Sequence, residues 1–497
     1  MTITAPASRA LLLLTLLGGC AVGPDYRPPS AGDLKLPQSF GAARPQTVGE
    51  VDVARWWAAF GDPVLTGLVE RGLAANLDID AAGARLRQAR ASLRSARGGL
   101  LPSASVSGSA SRSIGRDSNS VFDPTTGQVI GTSGGDTTIF RGSFDAAYEA
   151  DIFGGIRRSV EAARAGAQAS EADLRDVQIT VASEIALNYL DARLAQARLA
   201  IAERNLASQD ETVEIVGWRV QAGLVSSLDL EQARQLRAQT AASIPALRTS
   251  YVAAVNRIAV LLGEAPGAVT ATIDPVRAVP IAPAALSAAI PADMLQRRPD
   301  IASAERTLAA ETARIGVETA QLYPALRLSG TFGGSATNIG DVLSSSIGNL
   351  VAGITAPIFQ GGQIRAAIEG QRASTDAALA AYRSAVLLAL EEVENALQSL
   401  TAAEQREQAL IVADEAARNA VILARSQYRA GLIDFQALLE SERSLLSSED
   451  NRATARANRA TATVQLYKAL GGGWEGAPMP ATALSSAERA AATMTRP

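Results

Sequence analysis

Few residues in this chain have the types or spacing that catalysis requires. Histidine is absent from all 497 positions, so neither a Ser-His-Asp triad nor an imidazole metal site can be assembled. The one cysteine, Cys20, has no second thiol to pair with. Glycines stand between an extended run and a helical one in Phe153–Arg157 (FGGIR) and in Phe359–Arg365 (FQGGQIR), as they do in phosphate loops. Both stretches lack the lysine of GxxxxGK[ST] and read as tight corners. Glu391, Glu392 and Glu394 form an acidic group on a helical stretch and are expected to face water. Glu440 and Arg443 lie three residues apart, with Gln436 one turn earlier; as an exposed pair they contribute only a few tenths of a kcal/mol. The sequence therefore indicates no enzyme: no catalytic residue, no metal-ligand set and no cofactor.

The chemistry that remains is at Cys20. Arg9, the apolar run Ala10–Leu17 and two glycines precede it, which is the layout of a secretory signal over residues 1–19. The run is too short to span a bilayer. A cysteine directly after Leu17-Gly18-Gly19 resembles the bacterial lipobox, and that resemblance implies that Cys20 becomes the lipidated first residue of the mature chain. Acyl chains contribute about 0.8 kcal/mol per buried methylene, enough in combination to hold a protein on a membrane. The next residue is Ala21 and not aspartate, which by the same resemblance favours the outer membrane.

The elements behind these residues are long. No proline occurs between Pro124 and Pro245, or between Pro357 and Pro478. In each gap a helical pattern follows the paired glycines, to about Ala222 and about Ala430. A helix of nearly seventy residues is roughly 100 Å long. Heptad-like spacing appears at Leu187, Leu190, Leu194, Ala197 and Ile201, and again at Leu379, Tyr382, Val386, Val393, Leu397 and Leu400. Each run stops at Ala-Gly-Leu (Ala222, Gly223 and Leu224; Ala430, Gly431 and Leu432), and a return helix follows. Residues 47% hydrophobic but only 4% aromatic suit close helix-on-helix contact. The 46 basic and 50 acidic residues nearly balance, without a basic footprint for nucleic acid.

The chain reads as two repeats. A lipid-anchored strap over 20–55 precedes the first, at 56–265; a connector over 266–297 leads to the second, at 298–473; a tail expected to be unstructured covers 474–497. A helix from Asp62-Pro63 to about Arg97 opens the first repeat. Four strands are expected, two per repeat. Ser103–Ser111 places serine at every odd position, and Phe140–Asp151 places Phe140, Gly142, Phe144, Ala146 and Tyr148 on one face. Residues 113–138 between them read as a long solvated loop. Leu326–Phe332 and Gly348–Ile358 alternate likewise. About ten residues of alternation suits a strand of an outer-membrane barrel. Edges cannot stay open in lipid, and a single-chain barrel needs at least about eight strands, so four strands require other copies of the chain. Two copies supply eight and three supply twelve; alternation does not choose between them.

Cys20 followed by AVGPDYRPP, with WWAAFGDP, YEADIFGGIR, RRPDIASAE, LYPALRLSG, PIFQGGQIR and YRAGLIDFQALLESER, resembles the TolC/OprM-type outer-membrane efflux lipoproteins from the signal to about Gly473. The resemblance implies a mainly α protomer with a small membrane β part. It implies a homotrimer whose twelve-stranded β-barrel continues into a long twelve-helix periplasmic α-barrel, with a collar near residues 265–295. Implied partners are outer-membrane lipid, a periplasmic membrane-fusion adaptor and an inner-membrane pump, often proton-driven and of the RND type. The expected function is a passive exit duct for toxic small molecules. A type I protein-secretion duct is the nearest rival, and a non-porous lipid-tethered coiled-coil scaffold is a rival of another class. The resemblance places Ala222, Gly223, Leu224, Ala430, Gly431 and Leu432 at the adaptor contact. It places Gln436, Glu440 and Arg443 at the periplasmic aperture, where Gln436 departs from the apolar residue expected, with Asp229 and Glu231 as weaker candidates.

Overall fold

Period-two alternation in four segments and period-3.6 patterns elsewhere are realised as one sheet and a set of long helices. The structure, a computed structural model, describes residues 21–30, 32, 53–114, 119–122, 129–133, 136–280, 297–344 and 346–484. Residues 1–19, Cys20, most of the strap and half of the connector lie outside them. Seven helices are used here: α1 (Pro63–Ala75), α2 (Leu77–Gly98), α3 (Gly155–Gln221), α4 (Ser227–Leu261), α5 (Pro299–Ala320), α6 (Gln363–Arg429) and α7 (Phe435–Ala469). The strands are β1 (Ser103–Ser113), β2 (Asn119–Phe122), β3 (Val129–Ser133), β4 (Thr137–Ala150), β5 (Ala325–Ala336) and β6 (Ser346–Thr355).

The duplication is exact in helix length. α3 and α6 each have 67 residues, α4 and α7 each have 35, and α2 and α5 each have 22. The chain nevertheless forms two compact units that cut across the repeats, each built from parts of both.

The first unit comprises Met1–Pro28, Ala89–Ala167 and Thr307–Leu379 and contains the sheet. The antiparallel order is β1-β4-β5-β6, so the two repeats meet at the β4–β5 pair. The register puts Val106, Phe144 and Phe332 in one row with Gly348, and Tyr148, Leu328 and Ala352 in another. This face is apolar across all four strands and uncovered, with Val106 80% and Leu350 84% exposed. The opposite face is polar on β1, β4 and β5, while β6 adds Ile347, Asn349 and Val351 to it. There the hydroxyls of Ser107 and Ser143 lie 2.8 Å apart, Thr331 donates to Asp145 at 3.0 Å, and Arg327 pairs with Glu149 at 3.0 Å. The loop expected over 113–138 differs from that reading, because it contains the β2–β3 hairpin as a separate two-stranded sheet.

The second unit comprises Pro29–Gln88, Gln168–Arg306 and Ala380–Pro497. Its main core joins Trp56, Leu65, Ile79, Ile185, Tyr189, Ile258 and Tyr467. The helix expected from Asp62 to about Arg97 is divided at Asn76. The Asn76 side-chain oxygen accepts from Asp78 N at 2.8 Å and Ile79 N at 3.1 Å, and its amide donates to Leu261 O at 2.8 Å. A side chain that caps a new helix ends the previous one. Over Trp474–Leu484 the tail is packed, contrary to the expectation that it is unstructured. Ala483 is buried, Gln178 donates to Pro478 O at 3.0 Å and Arg87 to Thr482 O at 2.5 Å. Small and proline residues suit this path, since a β-carbon on Gly83 would stand 2.8 Å from Pro480. Residues 485–497 lie outside the described residues. Glu392 does not simply face water: it pairs with the buried Arg298 at 2.7 Å.

Candidate functional site

The two Ala-Gly-Leu stretches form matched helix ends in the second unit. Leu224 N–H donates to Arg219 O, and Leu432 N–H to Gln427 O, each at 2.9 Å. Gly223 and Gly431 have φ of +73° and +71°. This is the six-to-one closure of a Schellman end, and glycine meets its left-handed position without β-carbon strain. The return helices are capped at once. Ser226 accepts from Leu228 N at 3.0 Å while Asp229 accepts from Ser226 N at 3.2 Å, and Asp434 accepts from Ala437 N at 2.9 Å.

An apolar cluster holds both turns together. It joins Val216, Ala233, Leu236, Tyr428, Phe435, Leu438 and Leu439. The Arg219 guanidinium stacks 4.6 Å above the Tyr428 ring and also donates to Tyr428 O. Beyond the cluster Leu224 and Leu432 project into solvent, 69% and 75% exposed.

The expected aperture residues differ in their surroundings. Gln436 hydrogen-bonds through its amide to Gln232, joining the first turns of α7 and α4. Glu440 and Arg443 are exposed on α7 and form no ion pair with each other among the described residues. Asp229 is occupied in its capping box, and Glu231 pairs with Arg234 at 2.8 Å on the same helix.

A buried polar seam beside them has no counterpart among the sequence-derived candidates. Glu442 is buried, accepts from Thr212 at 3.0 Å and pairs with Arg425 at 3.1 Å; Arg425 also reaches Ser208. Burial raises the Glu442 carboxyl above its usual range, against the pull of Arg425. Farther along, Glu449 accepts from Asn205 at 2.8 Å and pairs with Arg418 at 2.5 Å. Asp414 is fully enclosed and pairs with Arg452 at 2.6 Å and Arg418 at 3.1 Å. Burial pushes the Asp414 carboxyl up, but the hydrogen bonds of the two arginines outweigh it and hold the carboxyl low. A signal existed: Phe435, Leu438, Glu442 and Glu449 share inward heptad positions, where an acid requires a partner.

Arranged this way, the tip residues offer no nucleophile and no acid–base pair. They offer apolar projections on two rigid turns and a set of breakable polar links between helices. Cys20 lies outside the described residues, but the residues after it are held firmly in the first unit. Val22 N–H donates to Phe153 O at 3.0 Å, and the Arg158 guanidinium holds Val22 O, Gly23 O and Asp25.

The chain is similar along most of its length to known proteins. The chain is 34% identical over 434 residues to nodulation protein T of Rhizobium leguminosarum bv. trifolii, covering 86% of this chain and 89% of that one. It is 33% identical to the pyoverdine export outer membrane protein OpmQ of Pseudomonas aeruginosa, over 93% of this chain and 95% of the relative. The solved outer-membrane channel OprN superposes with a TM-score of 0.82 at 36% identity, covering 92% of this chain and all of that one. The family model described as outer membrane efflux protein matches residues 68–264 and 290–472. With both repeats matched, the chain belongs to the outer membrane efflux protein family.

Proposed function

We propose that the protein is the outer-membrane exit duct of a tripartite efflux system, passing drugs or other toxic small molecules that an inner-membrane pump delivers through a periplasmic adaptor. The observation that carries this reading is the sheet: apolar on one face, largely polar on the other, with β1 and β6 each paired on one side only among the described residues. Open edges are not tolerated in lipid. Three copies, joined β6 to β1, complete a barrel of twelve strands with the hydroxyl-rich face inward, and the long helices of the three copies form an α-barrel. The roles named for relatives, pyoverdine export in one and antibiotic efflux in another, support cargo of small organic molecules. The pump of this reading is of the proton-driven RND type.

Cys20 carries the lipid. The residues just behind it run to the corner between β4 and α3, where the apolar face of the sheet ends, so an acyl chain there lies within reach of the bilayer surface. Leu224 and Leu432 with their Ala-Gly turns meet the adaptor, and Gln436, Glu440 and Arg443 line the closed aperture. No nucleotide is required, because opening is a displacement of helix pairs by the adaptor.

Purified protein in planar bilayers tests the reading. Heat-modifiable trimers and discrete channel currents are expected; a folded, detergent-extracted chain that remains monomeric and non-conducting overturns it. Replacement Cys20→Ser should abolish incorporation of labelled palmitate while leaving the currents intact.

A further inference from the structure

α2 and α5 are equivalent in the two repeats and lie partly in the first unit, yet their matching faces are treated differently. Each helix reaches its strand, β1 or β5, through a short link containing a proline: Leu101-Pro102 in one and Tyr323-Pro324 in the other. Seven residues before Leu101 stands Arg94; seven before Tyr323 stands Gly316. On α5 this position is covered by the segment that follows Cys20. A β-carbon on Gly316 would lie 2.9 Å from Val22 O and 2.7 Å from Arg158 Cγ, and one on Gly23 would lie 2.4 Å from Gly316 Cα. On α2 the corresponding position is Arg94, which is exposed, as is Arg97 three residues later; Leu101 follows just beyond the helix end.

Arg94 and Arg97, three residues apart, share one face of the last turns of α2, and a turn closed by Leu100 N–H to Arg97 O and Leu101 N–H to Gly98 O carries the chain on to Leu101. This face points away from the interior of the unit. Ser95, Ala96 and Gly99 on the other side of α2 line a cavity of about 1000 Å³ that also contains Glu149, Asp151 and Arg327 of the polar face. Arg94 and Arg97 are exposed and have no hydrogen-bond or ion-pair partner among the described residues. Leu101 is 68% exposed beside the start of β1, whose apolar side chains continue the same uncovered surface. A pair of unpartnered guanidinium groups one and two turns below exposed leucine is the order of a membrane boundary, with charge at the headgroups and hydrocarbon beyond them.

We propose that Arg94 and Arg97, with Leu101, bind the headgroup phosphate of an anionic phospholipid in the leaflet that the lipid anchor also enters. The inference rests on the reading of the sheet as an outer-membrane barrel. By the internal repeat, this face stands at the level where the segment behind Cys20 lies on α5. The protein thus grips the bilayer at two equivalent heights, covalently at one and through arginine–phosphate contacts at the other. Guanidinium groups suit this role because their planar fork matches phosphate oxygens.

The test uses the full-length lipidated protein in detergent, as wild type, as Arg94→Gln/Arg97→Gln and as Arg94→Lys/Arg97→Lys. Native mass spectrometry and thermal unfolding are followed with added phosphatidylglycerol, phosphatidylcholine or soluble glycerol phosphate. Phosphatidylglycerol is expected to remain bound and to raise the melting temperature of the wild type. The glutamine pair should lose roughly thirty-fold in lipid occupancy, and the lysine pair should recover part of it. Equal retention of phosphatidylglycerol by wild type and the glutamine pair overturns the proposal. Equal stabilisation by soluble glycerol phosphate overturns the lipid source in favour of a free-anion site. Should the glutamine pair fail to fold, a spin label at Leu101→Cys in the otherwise wild-type chain gives the answer by its depth: a position at the headgroups or in the hydrocarbon just beyond them supports the proposal, and a fully aqueous position refutes it. Bilayer currents separate the two readings. Glutamine variants that conduct normally but lose lipid leave the duct assignment standing, whereas absent currents in the wild type remove the duct itself.

Discussion

Gln436 at the start of α7 donates its side-chain amide to Gln232 at the start of α4, so the two return helices are joined by a neutral link just behind their turns. A link of this kind nets about 1 kcal/mol, and three copies acting together would sum to about 3 kcal/mol, roughly a hundred-fold in a closed-to-open ratio. Replacing both residues by alanine is expected to increase the open fraction by about that factor in single-channel recordings. An unchanged open probability would show that the link is not part of the gate.

Glu440 and Arg443 find no partner among the described residues of their own protomer, so a contribution to closure is expected across copies. Conductance of the reconstituted Glu440→Ala/Arg443→Ala protein should rise, and the gain should shrink as salt is raised in the wild-type control, because exposed charges are screened within about 10 Å at 0.1 M salt. No difference between wild type and variant at low salt would assign the pair to an ordinary solvated face.

Leu224 and Leu432 are exposed on turns whose backbone is closed by its own hydrogen bonds, which makes them dispensable for folding. Leu224→Asp/Leu432→Asp should leave the melting temperature and the currents intact. Binding to the adaptor, measured by surface plasmon resonance, should weaken by about 2 kcal/mol or more if these side chains anchor the contact. Retained affinity would move the contact elsewhere.

Asp414 and Glu442 should give acid titrations of opposite sign. The Asp414 carboxyl is held below its ordinary value of 3.8, so its stabilisation is complete above that pH and is lost as pH falls below it through the lowered folded-state value. Asp414→Asn should cost about 2 kcal/mol at neutral pH, a figure reduced by the partial exposure of both arginines, with the difference closing in acid. The Glu442 carboxyl is raised above 4.5, so its contribution is greatest below that pH and declines as pH rises above it through the raised folded-state value. Glu442→Gln should therefore gain on wild type as pH rises, since the half-exposed Arg425 can turn to water. Denaturant melts across the acid range would reveal parallel curves if neither group is coupled to folding.

Gly316 gives the segment behind Cys20 its seat. Gly316→Val sets new carbon atoms against Val22 O and Arg158, an overpacking that costs about 1–3 kcal/mol. The strand alternation and the turns are untouched, so trimers and currents should persist while proteinase K gains access to the stretch after Cys20. Wild-type protection in the variant would mean that the segment is held by Arg158 alone.

Much of the architecture was legible because it is local and periodic. The alternation in Ser103–Ser111, the two proline-free runs and the repeated Ala-Gly-Leu stops follow from bond geometry within a few residues, and they specify strands, helices of matched length and turns. Asn76 was missed because its side chain caps one helix while reaching Leu261 of another, a contact 185 residues away that no window contains. Glu442 and Asp414 were missed for a related reason. A charge is buried or solvated according to which helices flank it, and their partners Thr212 and Arg452 come from other helices. Composition, register and duplication were thus written in the chain itself. Which carboxylates are enclosed, which face of α2 stays exposed and where the residues behind Cys20 lie were decided only by tertiary contact, because burial and pairing are properties of neighbours in space.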